Sequence, residues 1–269
     1  MKSKITGGGT KFLFKKKILN KYDVDYYQCI ETGFIQTEDP YWLGEAYSSA
    51  ITKLDIGLPY RNQLQSNLLS KLINKYFDNE KEYLDYAGGY GLFTRLMRDK
   101  GFNFFHSDIY CDNIFAEFFE ADLNNLNKKF ELITALEVFE HMNNPLKEIE
   151  KLFSYSDSIL FSTELHSEKN IPIENWWYFS FETGQHIAMF NLQTLEYLAN
   201  KYGCNFYSDG STTHLFTFKK FASNPFNIVR EPFLIRKARK ILRKFDNQKM
   251  PNSLLESDFN YIKNEILSK

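Results

Sequence analysis

Residues 83–91, YLDYAGGYG, constrain the fold more than any other part of the chain. A short apolar run carries Asp85 at its end, and the chain then turns through Gly88, Gly89 and Gly91. Glycine takes positive φ at no steric cost and lets another group approach the backbone closely, so this string marks a tight turn at a strand end. LFTRLMRDKG follows with helical spacing, and Gly101 sits where a helix would stop. FNFFHSDIY reads as a second strand and FELITALEV as a third. Then come a turn with Pro145, a helix LKEIEKLF and a strand DSILFSTEL. The helix NLQTLEYLANKYG has Asn191 as its N-cap and Gly203 past its end, and NFYSDGSTTHLFTFKK reads as a closing hairpin. Strands alternating with helices in this way predict an α/β fold, a doubly wound sheet closed by an antiparallel hairpin.

The rest of the chain divides around that unit. Its 269 residues suit one large domain with appendages. We divide it into an N-terminal lobe at 1–62, a central domain at 63–221 and a helical tail at 222–269. A helix is predicted over about 63–76, with Leu64, Leu68, Leu72 and Ile73 on one stripe. The tail holds a basic helix, IRKARKILRKF, read as a solvated helix packed by one face or as a dock for a membrane surface or phosphates. With 33 Lys+Arg against 34 Asp+Glu, a strongly basic nucleic-acid binder is not expected. No apolar run is long enough to span a membrane, and the first residues lack the apolar core of a signal peptide. Cys29, Cys111 and Cys204 are far apart, which fits a reducing cytoplasm better than a disulfide framework.

The glycine turn precedes a helix, whose first turn offers unpaired N–H groups and a positive dipole end. Its glycines do not follow the dinucleotide spacing GxGxxG. The leading Asp85 suits a ligand with a cationic or hydroxyl-bearing portion better than a pyrophosphate. Asp108 closes the next strand, where a carboxylate can accept hydrogen bonds from ribose hydroxyls. Asp122 precedes the third strand and is a candidate for an adenine amino group.

Taken in order, LDYAGGYG, SDIY, EADL and FELITALEVFEHMNNPLKEI resemble the class I S-adenosylmethionine-dependent methyltransferases. The resemblance implies a Rossmann-like methyltransferase sheet and S-adenosylmethionine as cofactor. Residue by residue, it implies that Asp85, Ala87, Gly88, Gly89 and Gly91 hold the methionine and ribose portions. It assigns Asp108 with Ile109 to the ribose, Asp122 with Leu123 to the adenine, and Glu137 to the floor under the methyl group. Tyr47 and Arg61 are further donor contacts, Arg61 through the donor carboxylate. YYQCIETGFIQTEDPYWLGEAYSSAITKLDIGLPYRN and WWYFSFETGQHIAMFNLQTLEYLANKYG are similar to a bacterial group of sugar-modifying methyltransferases associated with capsule and other surface glycans. Relatives of that group often begin with a zinc ribbon of two CxxC knuckles. The matching positions here are Ser3 with Thr6 and Cys29 with Thr32, and one thiol of four cannot hold a structural zinc. The ribbon shape is expected to persist without metal, or to be loose.

Methyl transfer to an alcohol benefits from a general base, and His suits neutral pH. His186, in the polar loop ETGQHI, is the first candidate, with His141 as the alternative and Glu137 beside it. Glu137, Glu140 and His141 form ExxEH, which resembles a string of ubiquinone-pathway O-methyltransferases, where the resemblance implies a divalent metal; metal-free methyltransferases carry a similar EH string. We expect no metal. His166 is a third candidate base, while His106 and His214 read as structural. Trp176, Trp177, Tyr178 and Phe181 read either as a packed lid or as faces for a sugar. The expected function is an O-methyltransferase acting on a sugar hydroxyl, the sugar being nucleotide-linked. The alternatives are a sugar amine, carboxyl or phosphate-linked acceptor, or a donor-binding scaffold without catalysis. No [DNS]PP[YF] string supports nucleic-acid N-methylation, and oligomeric state stays open.

Overall fold

The computed structural model describes residues 1–48, 51–167, 172–229 and 252–267. In chain order, β1 (Thr10–Ile18), β2 (Tyr22–Cys29) and β3 (Ile35–Thr37) lead into α1 (Leu43–Ala46) and α2 (Leu58–Tyr76). The alternating part follows as β4 (Glu82–Tyr86), α3 (Leu92–Asp99), β5 (Asn103–Ser107), β6 (Leu132–Leu136), α4 (Pro145–Tyr155) and β7 (Ser158–Ser162). A short β8 (Ala188–Met189), α5 (Leu192–Tyr202), β9 (Asn205–Ser208) and β10 (Thr213–Thr217) complete it, and α6 (Leu255–Leu267) lies in the tail.

The central sheet has the order β5-β4-β6-β7-β10-β9. Pairing is parallel from β5 through β7 and antiparallel through β10 and β9, as the alternation and hairpin predict. Successive residues of one strand feed opposite layers. Ile133, Ile159, Phe161 and Phe216 pack under α4 and α5, while Leu132, Leu160 and Leu215 pack under α2 and α3. Each such side chain contributes about 1.5–3 kcal/mol by leaving water.

Local signals set the helix ends. Asn191 Oδ1 accepts the Thr194 N–H at 2.8 Å, and Gly203 closes α5 in the left-handed region at φ 66°. Asn144 caps α4 ahead of Pro145. The helix predicted from about residue 63 begins earlier, at Leu58, because Pro59 provides a ready first turn. Its buried face is Ser66, Leu69, Leu72 and Ile73; Leu64, placed on the core stripe from the sequence, is exposed.

The first strands form a second sheet, β1-β2-β3-β8. Its last strand arrives from the segment between β7 and α5, so the N-terminal lobe is closed by a piece of chain more than 150 residues on. Both pieces share a core of Ile18, Tyr26, Trp42, Phe179 and Met189, with Trp176 and Phe181 packed against it. Trp42 Nε1 donates to the Gly184 carbonyl at 2.8 Å across the same seam. At one end of this sheet the hydroxyls of Ser3, Thr6 and Thr32 gather on the buried Cys29 thiol, with Thr6 Oγ1 3.6 Å from Sγ. Burial raises the thiol pKa, but the hydrogen bonds from Ser3, Thr32 and Thr6 outweigh it and bring it down to about 7.

In the tail, Asp258 on α6 accepts from Arg98 Nη2 at 2.7 Å and Arg95 Nη2 at 2.9 Å, a nearly buried ion cluster on α3. The basic helix IRKARKILRKF lies outside the described residues. No helix among the described residues is long and apolar enough to cross a membrane.

His214 makes a sharp test of the central sheet. It is fully buried, with Nδ1 2.9 Å from Ser208 Oγ and Nε2 3.1 Å from the Thr163 carbonyl oxygen. Burial disfavours its cation and lowers its pKa from the ordinary 6.5 to about 4. The unfolded chain takes up this proton at a higher pH than the folded one, so the stability is complete above pH 6.5 and is lost as pH falls towards 4. In urea titrations, His214→Gln should remove about 2 kcal/mol of the stability loss between pH 7 and pH 4.5. An unchanged pH dependence would contradict the assignment.

Candidate active site

A cavity of about 1010 Å³ opens at the C-terminal ends of β4, β5, β6 and β7. Open α/β sheets bind their ligands on that edge. The α1–α2 region supplies Tyr47, Ile51, Asp55 and Arg61 to one wall, and the segment before β8 supplies Trp177, Tyr178, Gln185 and His186 to another.

The turn after β4 forms one side of the cavity. Ala87, Gly89 and Gly91 have φ of 54°, 57° and 82°. A Cβ on Gly88 would lie 2.5 Å from Asp85 Oδ2 and 2.8 Å from His106 Cδ2, so only glycine fits there. Both ends of the Gly89 residue are held by β5 and its end: His106 Nε2 lies 2.9 Å from the Gly89 carbonyl oxygen, and the Gly89 N–H donates to Asp108 Oδ2 at 2.9 Å. His106 is opposite Asp85 in the β4–β5 register. Asp85 is buried, and its oxygens accept from Thr134 at 2.8 Å and Thr94 at 3.0 Å. Burial raises its pKa to about 6, against the pull of Thr134, His106 and Thr94.

Asp108 Oδ1 accepts the Tyr110 and Cys111 N–H groups at 2.7 and 2.9 Å. With Gly89, three backbone donors orient this carboxylate, leaving acceptor capacity on Oδ2 for a ribose hydroxyl. Ala87, Ile109 and Leu123 also line the cavity. Asp122 does not: it is exposed, and its carboxylate accepts from Asn124 and Asn125 in its own turn. Gly91 also stands behind the wall, capping α3, where a Cβ would meet Asn113 Oδ1 at 2.1 Å. Tyr47 stacks on Tyr110 at 5.1 Å between centroids. Arg61 Nη2 donates to both oxygens of Asp55, at 2.8 and 2.9 Å, and its Nε lies 4.0 Å from Glu137 Oε2.

The facing wall begins at Glu137, a left-handed residue (φ 55°) at the end of β6. Its N–H donates to Ser162 Oγ at 2.8 Å, and the Ser162 hydroxyl donates back to Oε1 at 2.6 Å. Burial and the neighbouring Glu140 raise its pKa to about 7, opposed by Ser162 and Arg61. The rings of His141 and His186 stand nearly perpendicular, 4.9 Å apart. His141 Nδ1 is 3.1 Å from the Gln185 carbonyl oxygen, and His186 Nδ1 contacts the Tyr178 carbonyl oxygen. Carbonyls only accept, so both Nδ1 atoms carry the proton and both Nε2 atoms keep a lone pair. Burial lowers the pKa of His141 to about 4; burial and the proximity of His141 lower that of His186 to about 3. Both are neutral near pH 7. Glu140 is fully buried behind them and accepts the Tyr178 hydroxyl on Oε1 at 2.6 Å.

The structure thus gathers Asp85, Ala87, Gly88, Gly89, Asp108, Ile109, Leu123, Tyr47, Arg61, Glu137, His141 and His186 around one cavity, and leaves Asp122 and Gly91 out of its wall. His166 lies outside it, with Nε2 3.1 Å from the Gly33 carbonyl oxygen. The four aromatics divide: Trp177 and Tyr178 line the cavity, while Trp176 and Phe181 pack in the lobe. His106, read from the sequence as structural, clamps the turn after β4. Its signal was an imidazole on the same strand register as the turn's leading acid.

A sheet of this order with a glycine turn beside a cavity at its C-terminal edge is of the α/β class that binds ligands at that edge. The model of a family described as a methyltransferase domain matches residues 60–208, more than half of the chain, and the chain belongs to that family. Among solved structures, an O-methyltransferase family protein from Burkholderia thailandensis is 12% identical over 62% of this chain and 58% of its own, with a TM-score of 0.47. The plantazolicin methyltransferase BpumL, in complex with SAH, is 13% identical over 74% and 89%, with a TM-score of 0.47. CalO1, a methyltransferase in calicheamicin biosynthesis, is 13% identical over 66% and 60%, with a TM-score of 0.40. The chain therefore spans less than two thirds of the Burkholderia protein and of CalO1. No curated protein matches the chain significantly.

The methyl donor of such a domain is S-adenosylmethionine. The crowding at Gly88, the pinned Gly89 and the spare capacity of Asp108 lie along one side of the cavity. Gly88→Ala forces the turn away from Asp85 and should weaken S-adenosylhomocysteine binding by at least about tenfold, or 1.4 kcal/mol. Thermal-shift titration reads this directly; equal saturation of variant and wild type would show that the turn does not touch the donor.

Proposed function

We propose that this chain is an S-adenosylmethionine-dependent O-methyltransferase acting on a sugar hydroxyl, the sugar being nucleotide-linked and destined for a bacterial capsule or other surface glycan. The observation that carries the reading is the pairing, across one cavity, of a glycine turn with two neutral imidazoles whose Nε2 atoms accept no hydrogen bond from the described residues. The bound donor supplies a methyl group made electrophilic by its sulfonium. In our reading the Asp85–Gly91 turn, Asp108, Ile109 and Leu123 hold it, with Tyr47 and Arg61 at its other end. Wall residues that fix the acceptor oxygen near the methyl supply several kcal/mol by orientation alone.

In this reading His186 is the proton acceptor, its ring aimed by the Tyr178 carbonyl; His141 and Glu137 complete the polar end of the cavity. Trp177, 69% exposed at the cavity wall, offers a flat face to a sugar ring. A donor-binding scaffold would have no use for imidazoles held in a single tautomer. We keep the organisation as a lobe at 1–62, a donor-binding domain at 63–221 and a tail at 222–269, and assign the chain to the cytoplasm, where nucleotide-linked sugars are made.

Incubation with S-adenosylmethionine and a panel of nucleotide-linked hexoses and heptoses should add one methyl mass to one of them. His186→Ala should lower that turnover by about 10²–10⁴-fold while S-adenosylhomocysteine still binds. Near-normal turnover would remove His186 from the role. Transfer only to an amine, a carboxyl or a phosphate-linked group would replace the hydroxyl reading.

The hydroxyl cluster on Cys29 is, in the same reading, the remnant of a two-knuckle zinc ribbon. Combining Ser3→Cys, Thr6→Cys and Thr32→Cys should then create a site that takes up one Zn²⁺ per chain and raises the unfolding temperature. A triple variant that folds and takes up no zinc would sink the idea.

A further inference from the structure

We infer that the polar end of the cavity is a site for a divalent transition-metal cation, held by Glu140, His141 and His186. One carboxylate oxygen of Glu140 and one ring nitrogen of each histidine lie within 4.8 Å of one another. Three ligands at about 2.1 Å from a shared ion stand about 3.0–3.6 Å apart, so side-chain movements of about 1–2 Å close the set from its widest spacing.

Three independent features point the same way. First, each histidine is tethered through Nδ1 to a backbone carbonyl, of Gln185 for His141 and of Tyr178 for His186. Metal-ligating histidines are oriented by such outer contacts, which leave Nε2 for the ion. Second, Glu140 is completely buried and uses Oε1 for the Tyr178 hydroxyl, while its buried Oε2 has no hydrogen-bond partner among the described residues. An orphaned buried carboxylate oxygen is costly, and a cation satisfies it. Third, the two histidines wall the cavity and Glu140 does not, so the protein ligands lie behind the ion and its remaining positions face the acceptor.

Two imidazoles and one carboxylate suit Mn²⁺, Fe²⁺ or Co²⁺ better than the harder Mg²⁺. Open adjacent positions would take two neighbouring oxygens, so the acceptor class is a vicinal diol rather than an isolated alcohol. The inference rests on the methyl-transfer reading and changes one role in it: in the loaded protein His186 is a ligand rather than the proton acceptor. Coordination acidifies the acceptor hydroxyl. Its O–H bond breaks and the proton passes to cavity water. The oxygen pair forms the O–CH₃ bond, and the S–CH₃ pair stays on sulfur; nothing is oxidised or reduced.

The test is a titration of the EDTA-stripped full chain with Mn²⁺, read as loss of the free-ion EPR signal, with S-adenosylhomocysteine binding as the check on folding. One saturable ion per chain is expected. Glu140→Gln and His141→Ala should each weaken it by at least about tenfold. Glu196→Gln, an exposed carboxylate on α5, should leave it unchanged. No saturable binding, or binding that survives both ligand substitutions, overturns the site. If Glu140→Gln fails to bind S-adenosylhomocysteine, His186→Asn replaces it and decides by the same criterion. Activity on the sugar panel separates the two claims. Transfer unaffected by EDTA, from a protein that binds no Mn²⁺, overturns the site and leaves the methyl-transfer reading intact. Stoichiometric Mn²⁺ binding without transfer to any acceptor does the reverse.

Discussion

The Gly89 backbone is the fixed point of this structure. Its carbonyl is held by His106 and its N–H by Asp108, both from the strand beside it or just past its end. Those two hydrogen bonds tie the turn after β4 to the end of β5, and the left-handed residues Ala87, Gly89 and Gly91 then swing the chain into α3. That clamp sets where α3 begins and holds Asp108 beside the turn. Residues in the left-handed region are disfavoured unless their surroundings hold them there. Here the surroundings are Asp85, locked by Thr94 and Thr134, and the imidazole that leaves room only for glycine at position 88.

The second constraint is the seam between the lobe and the segment that precedes α5. A two-residue strand, β8, completes the N-terminal sheet, and Trp42, Phe179 and Met189 share one core. That segment carries Trp177, Tyr178, Gln185 and His186, so packing of the lobe sets where the polar end of the cavity stands. The carbonyl of Tyr178 aims His186, and the hydroxyl of the same residue holds Glu140. One tyrosine thereby couples this segment to both His186 and the buried Glu140.

Much of the fold was legible because it rests on short-range chemistry. The alternation of strands and helices, the Asn191 cap, the Gly203 stop and the closing hairpin are local signals, and the sheet realises them. The start of α2 and its buried face were not, since Leu64 and Leu69 are equally apolar and only tertiary packing chooses between them. Of the candidate donor residues, those on the turn as far as Gly89 and at the end of β5 stand in the cavity wall, because backbone geometry alone puts them there. Asp122 turns instead to Asn124 and Asn125, a competition between local acceptor partners and the cavity that spacing does not resolve. The clamp by His106 and the meeting of Glu140 with His186 were hidden for another reason: each joins residues distant in sequence through side chains whose direction only the packed core determines.

The account depends most on the claim that this clamped turn and Asp108 bind the donor. Calorimetric titration of S-adenosylhomocysteine into the wild-type chain and into Asp108→Ala tests it most directly. The account predicts one saturable site in the wild type and a loss of at least about tenfold in the variant, the scale of hydrogen bonds to one carboxylate. An absence of saturable binding, or equal affinity in the two proteins, would contradict it.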